Sequence, residues 1–263
     1  MTLPTLRDLG ADLLVTTRRQ RILALARPYL GVAAFAAVAW AGWWWLTPLV
    51  VFGTFVAVVT VTHDVVHRTL GLTETATDRW LFALGLVLLE SGHAYRATHR
   101  QHHRLFPSPD DPEGYPADLS WWGAVCYGPV FLIRLWLWAA RRARPQERVW
   151  LLLEALAPVA AVTAGLVLWS VAPGVLVYAM LAITGSWVYP LLTVYLPHHG
   201  YGDEPLRQTR TLRGRVIPAV FLELTYHLEH HLYPQVPSHH LPELARRLDP
   251  YLTRAGVRPV VVP

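Results

Sequence analysis

From Tyr29 to Thr62 the chain carries no charged side chain. A helix crosses the hydrocarbon core of a bilayer with about 20 apolar residues. The stretch is too long for one crossing and suits two, with Thr47-Pro48 as the break between them. Helices are expected over 29–46 and 48–68. Two further apolar stretches, 149–171 and 174–196, meet at Ala172-Pro173-Gly174. Composition agrees: 53% of the 263 residues are hydrophobic and 16% are charged, where an average soluble domain has about 25% charged residues. The expected fold class is an all-α integral membrane protein. It has four transmembrane helices, with interfacial helices and a cytosolic histidine-rich cap.

The remaining segments fit around that frame. Residues 80–89 are apolar but too short to span. Residues 120–140 are rich in Trp and contain Arg134, which suits an interfacial helix with its rings at headgroup level. The run from Arg141 to Arg148 is strongly basic. Cytosolic loops carry the excess of basic residues, and every basic residue here is Arg. With the N-terminus in the cytosol, the outer turns fall near Thr47-Pro48 and Pro173-Gly174, and neither is charged. Every Arg and every His then lies on the cytosolic side or at its interface. One membrane domain over 1–263 is expected: a lead-in over 1–28, helices over 29–196 and a cap over 197–263. Both termini are cytosolic, and the expected location is a bacterial inner membrane. The N-terminus shows no early apolar run, so a cleaved signal peptide is not expected. The single Cys126 excludes an internal disulfide and a cysteine-based metal cluster. No nucleic-acid partner is expected.

Three histidine clusters carry the chemistry. His63-Asp64-Val65-Val66-His67 gives an i,i+4 pair at the end of an apolar helix. His99-Arg100-Gln101-His102-His103 gives i, i+3 and i+4, and His227-Leu228-Glu229-His230-His231 repeats that spacing. Each spacing puts its imidazoles on one helical face. Two such triads and one pair, in a chain with 13 His, point to metal binding over interfacial or loop histidines. Eight imidazoles exceed one ion and suit two. Nitrogen ligands suit iron, zinc, copper or nickel. The soluble di-iron pattern of paired Glu-x-x-His motifs is matched once, at Glu90-Ser91-Gly92-His93, and the zinc-protease His-Glu-x-x-His is absent. Asp64 and Glu229 are candidates to orient ligating rings. Glu223 is a candidate for the same task or for a solvated role.

In order and spacing, HDVVH, HRQHH and HLEHH resemble the three histidine boxes of the membrane fatty acid desaturase superfamily. The resemblance covers residues 40–250. Asp110-Asp111-Pro112, with Glu113 following, resembles the acidic turn after the second box. Leu232-Tyr233-Pro234-Gln235-Val236-Pro237 resembles the segment after the third box in acyl desaturases. Tyr195-Leu196-Pro197-His198 resembles a stretch of bacterial carotenoid hydroxylases. The resemblance implies a four-helix membrane domain under a cytosolic cap that holds two iron ions, non-haem. The ligands it implies are His63, His67, His99, His102, His103, His227, His230 and His231, with a ninth after the fourth helix. His198 is preferred to His199 for that place. His93 reads as structural, and His239 and His240 read as surface residues.

The chemistry implied is oxygen-dependent attack on an unactivated C–H bond. No side chain beyond the metal ligands needs to act as acid or base. The substrate reads first as a fatty acyl chain to be desaturated. The alternative is a carotenoid to be hydroxylated or ketolated. A non-catalytic membrane metal-binding or transport protein is the reading from another class, although the histidines gather at one face. No dinucleotide fingerprint or haem domain is fused to the chain. Electrons must therefore come from a separate donor, such as ferredoxin or a small haem protein, which the Arg-rich face could dock.

Overall fold

The computed structural model describes residues 3–263, with the side chain of Glu223 outside the described part. It is mainly helical, with almost no sheet. Helix α1 spans Arg18–Trp40 and α2 spans Thr47–Val66. Helix α3 (Glu74–Leu88) and α4 (Gly92–Leu105) follow on the histidine-bearing side. Helices α5 (Trp121–Arg142), α6 (Pro145–Val167) and α7 (Pro173–Gly185) complete the bundle. A short α8 (His227–Leu232) and an amphipathic α9 (Leu241–Arg254) lie in the cap. Strand pairing among the described residues is confined to Leu212–Arg213 beside Val260–Val261.

Helix α2 is the centre of the bundle. Of its apolar window, 78% is buried inside the protein, against 17% for α1 and for α6. Its sequence is rich in Val, which lowers intrinsic helix propensity. Tertiary packing offsets this, because Phe55, Val58, Val59 and Val65 form one core with Leu81 and Leu84 of α3 and Phe131 of α5. The surrounding helices leave one side exposed and apolar, as Leu152, Leu156 and Val159 do on α6. In water such a surface would drive aggregation; in lipid it is the expected one.

Five helical segments are long and apolar enough to cross a membrane, one more than the four expected. The addition is α5, expected to lie at the interface. Its buried residues Ala124, Gly128, Phe131, Leu135 and Ala139 recur at helical spacing and face the protein. Its single mid-helix charge is accommodated. The Arg134 guanidinium lies over the rings of Tyr115 and Tyr127, at 5.8 and 5.5 Å.

The expected hairpin turns are present. Trp40, Trp43, Trp44 and Trp45 are exposed around the α1–α2 turn, an aromatic belt. Gly174, at the start of α7, packs beside Trp44 and Phe35. The two uncharged turns therefore share one end of the molecule, and the histidine boxes occupy the other.

The cap draws on both ends of the chain. Leu9 and Leu13 are buried against Leu244, Leu248 and Leu252 of α9. Arg247 of α9 donates to both carboxylate oxygens of Asp12, at 2.8 and 2.7 Å, and to the Leu9 carbonyl at 2.6 Å. Residues 1–28 were expected as a lead-in to the helices, but residues 6–14 also form one wall of the cap.

Candidate metal centre

Four structural elements deliver the imidazoles. His63 stands on the last turn of α2 and His67 caps that helix. Arg68 then adopts a left-handed backbone (φ 61°) and turns the chain away. Helix α4 starts at Ser91, whose side chain accepts from the Ala94 amide at 3.0 Å. It presents His99, His102 and His103 on one face. His198 ends the continuation of α7, which passes through a wide π-helical turn over Pro190–Tyr195. Such turns recur at functional sites, where they re-aim side chains. Helix α8 supplies His227, His230 and His231.

The nine imidazoles expected as ligands fall into two groups. His63, His67, His99, His103 and His230 form one, and His102, His198, His227 and His231 form the other. Within each group the ring nitrogens lie within 4.8 Å of one another. The Nε2 atoms of His63 and His230 lie 2.8 Å apart, as do those of His230 and His103. In the second group, His198 Nε2 is 3.0 Å from that of His227 and 3.2 Å from that of His102. Box 2 is thus divided between the groups, with His102 separated from His99 and His103. Box 3 is divided in the same way.

Burial sets the protonation of these rings. It holds His99, His227, His230 and His231 well below the usual imidazole range, and each is reinforced by neighbouring imidazoles. His103 is pushed down to about 2, by burial and then by His67, His102 and His198. Neutral imidazole is the metal-binding form. His102 differs: burial disfavours its charge, but the hydrogen bond and charge of Asp111 outweigh that and raise it.

The rings are aimed from behind. His102 Nδ1–H donates to Asp111 Oδ2 at 2.7 Å, and His99 Nδ1–H donates to Glu113 Oε2 at 3.1 Å. His198 Nδ1–H donates to the Gln208 carbonyl at 2.9 Å. Each bond fixes a tautomer with Nε2 turned toward the cluster. Asp111 and Glu113 are themselves held, since the Glu113 amide donates to Asp111 at 2.9 Å and Thr98 Oγ1 donates to Glu113 at 2.6 Å. Burial raises the Glu113 carboxyl to about 7. The sequence singled out this acidic turn by resemblance alone; its task of orienting imidazoles was missed.

The two expected orienting residues do other work. Asp64 Oδ1 accepts from the Ser238 amide and hydroxyl, both at 2.8 Å, and from Thr69 Oγ1 at 3.2 Å. It ties box 1 to the chain after box 3. Glu229 is fully buried and accepts from Arg213 at 2.7 Å, not from an imidazole. The remaining histidines lie apart from both groups. His199 Nδ1–H donates to the Ala117 carbonyl at 2.8 Å and its ring stacks on Tyr195. His93 is buried and bonded to Glu154. His240 reaches the Val15 carbonyl at 3.1 Å, and His239 is half-buried beside it.

This donor set fits metal ions. Nine ring nitrogens converge in the two groups, and His67 Nε2 is buried with no hydrogen-bond partner. Buried polar atoms in that state are costly unless something binds them.

Comparison with known proteins agrees with this geometry. The family model described as fatty acid desaturase matches residues 41–261, which take in all nine imidazoles. The chain belongs to the fatty acid desaturase family. It is 27% identical to a beta-carotene ketolase of Paracoccus sp. (strain PC1), over 83% of this chain and 81% of the relative. It is 26% identical to a dihydrorhizobitoxine desaturase of Bradyrhizobium elkanii, over 86% of this chain and 75% of the relative. Family membership makes it a membrane oxidoreductase.

Proposed function

We propose that the protein is an oxygen-dependent di-iron enzyme that oxidises a lipid at an unactivated C–H bond, with fatty-acyl desaturation as the primary reading. The observation that carries this is the division of nine imidazoles, five buried and four partly buried, into adjacent groups of five and four. His63, His67, His99, His103 and His230 would hold one iron, and His102, His198, His227 and His231 the other. The bound irons supply activation of dioxygen. The chain's own residues do the rest. Asp111, Glu113 and the Gln208 carbonyl hold Nδ1 protons so that each Nε2 keeps a lone pair for metal. The α2 core and the cap keep bulk water from the site, which suppresses side reactions. Residues 1–263 act as one unit, because the cap packs both ends of the chain over the boxes.

The lipid reading is supported by an apolar cleft among the helices. A cleft of about 330 Å³ is lined by Phe52, Phe55, Leu88 and Val188. Leu88 also borders a smaller cavity that reaches Val59 and Tyr95, and those two residues line the cavity at His63, His99 and His230. The residues shared between these separate cavities mark the line that an apolar chain would have to open to reach the histidine groups. Electrons come from a separate donor such as ferredoxin or a small haem protein. The protein sits in the bacterial inner membrane with both termini cytosolic.

A carotenoid hydroxylase or ketolase is the second reading. The similarity to a beta-carotene ketolase and the Tyr195-Leu196-Pro197-His198 stretch favour it. Expression in a carotenoid-producing host, with analysis of lipids and pigments, separates the two. New double bonds in acyl chains support the first reading, and oxygenated carotenoid rings support the second. Purified protein is expected to contain two irons per chain and to take up oxygen after reduction. A preparation that binds no iron and leaves oxygen untouched would remove both.

A further inference from the structure

A different face of α4 from the one carrying box 2 presents His93, Arg96 and Arg100 at helical spacing. It faces the junction of α5 and α6. There Arg142, the last residue of α5, closes a recess of about 150 Å³. Liquid water occupies about 30 Å³ per molecule, so the recess has room for a tetrahedral oxyanion with its ester link.

The charges in the recess are poorly matched. Arg96 pairs with Asp78 at 2.5 Å. Arg100 donates to the Val66 carbonyl at 3.0 Å, and Arg142 lies over the Trp138 ring at 4.3 Å. Neither has a carboxylate partner among the described residues. The one acid at the rim, Glu147, is engaged by Arg144 at 2.8 Å. Like charges crowded together are unfavourable unless an anion joins them.

The recess also has a built floor. His93 is only 4% exposed. Its Nδ1–H donates to the buried Glu154 at 2.6 Å, and Trp150 stacks on its ring with a 5° tilt. Its Nε2 is buried without a hydrogen-bond partner, and the nearest carboxylate oxygen, of Asp78, is 3.6 Å away. A fixed ring with an unbonded Nε2 at the bottom of an Arg-lined recess is suited to a bound group that reaches it through a bridging water or a headgroup hydroxyl.

Location narrows the ligand. Helix α6 is long and apolar enough to cross a membrane, and the recess lies where it meets the end of α5 on the histidine side. Ala139 and Leu151 form its apolar wall. Leu152 and Leu156 are exposed on α6 one and two turns beyond the recess, and Ile133 and Leu137 are exposed on α5. A ligand whose phosphate enters the recess would lay apolar chains along those side chains.

We propose that the Arg96–Arg100–Arg142 recess binds the phosphate of an anionic membrane phospholipid, with His93 at its floor. The site is separate from the metal centre, so binding is read without iron or turnover. The test uses the full chain in neutral detergent, titrated with phosphatidylglycerol, phosphatidylcholine or inorganic phosphate, and follows melting temperature and bound lipid by native mass spectrometry. Phosphatidylglycerol is expected to bind saturably and raise the melting temperature, and the other two are not. Arg142→Gln is expected to weaken phosphatidylglycerol binding about tenfold or more, the typical effect of losing a hydrogen bond to a charged group. Arg141→Gln removes the same charge next to the recess and is expected to change binding less than about twofold, as a single exposed charge does. Arg142 is exposed, so its lipid-free melting temperature should match wild type. Arg142→Lys is a second probe that keeps the charge, and it should fall between wild type and Arg142→Gln. Equal losses in Arg141→Gln and Arg142→Gln would mean diffuse surface attraction and overturn the proposal. Inorganic phosphate matching phosphatidylglycerol would mean a free-anion site and overturn the lipid assignment. So would an acidic electron-donor protein whose binding, and not lipid binding, depends on Arg142.

Discussion

At the residue scale, the ligands are written in the sequence and their supports are not. Helical spacing alone puts His99, His102 and His103 on one face, so each box could be read without coordinates. Which imidazoles share a group could not, because box 2 and box 3 are each split between groups drawn from four elements. The supports were misassigned for a related reason. Glu229 sits between ligands in sequence yet faces Arg213. Asp111 lies nine residues beyond His102 and bonds to its Nδ1, a relation made by the fold of the loop after α4. This gives a sharp expectation. Asp111→Ala removes the acceptor that holds the His102 tautomer, and loss of such partners typically costs 10–100-fold in metal affinity or activity. Iron titration of the purified variant should show that loss. Asp110→Ala, at the exposed neighbour, should bind iron as wild type does. Equal behaviour of the two variants would mean that the His102–Asp111 bond does not support the site.

At the element scale, hydropathy separated the obvious spans from α5. The Trp-rich segment with Arg134 inside read as interfacial because its charge has no partner in sequence. In the fold, two tyrosines from different elements cover that charge, and by length and composition alone the helix could cross. What fixes α5 against its neighbour is Gly128. A Cβ there would lie 2.7 Å from the carbonyl carbon of Trp187 and 2.9 Å from its Cα, and backbone cannot swing aside as a side chain can. Trp187 lies in the short turn, Ser186–Val188, that leads through the π turn to His198. Gly128→Ala is therefore expected to destabilise the protein by about 1–3 kcal/mol, the usual cost of overpacking, and to lower iron occupancy along with stability. Thermal unfolding in detergent and iron content measure the two effects. Gly53→Ala on α2 is the control, because nothing lies within 4 Å of a Cβ there. It should be neutral or gain up to about 1 kcal/mol from helix propensity. A Gly128→Ala protein as stable and iron-replete as Gly53→Ala would mean that this contact does not seat His198.

At the scale of the whole molecule, charge bias and histidine position gave one topology from sequence, and the bundle agrees in its internal order: both uncharged turns at one end, all boxes at the other. The proposal that the histidine end meets the cytosol rests on the arginines alone, because a bundle in isolation has no inside and outside. Arg141, Arg142, Arg144 and Arg148 crowd the α5–α6 junction on the histidine side, while the far turns carry none. An even number of crossings returns the termini to one side. A fifth full crossing by α5 would put the 143–144 turn opposite the boxes, yet Arg142 and Glu147 border the same recess as His93 and Arg100 of α4. So α5 must begin and end on the histidine side of the bilayer, lying in the interface or dipping into it, however apolar it is. Cysteine labelling in intact cells tests this directly. In a Cys126→Ser background, Ala41→Cys and Val171→Cys should react with a membrane-impermeant maleimide added outside. Gln146→Cys and Thr253→Cys should react only after the cells are opened; all four positions are exposed on the protein. Labelling of Gln146→Cys from outside while Thr253→Cys stays protected would mean that α5 crosses and that the junction with α6 is extracellular. Labelling of Thr253→Cys from outside would invert the whole assignment and put the metal centre, and any donor that feeds it, on the other face of the membrane.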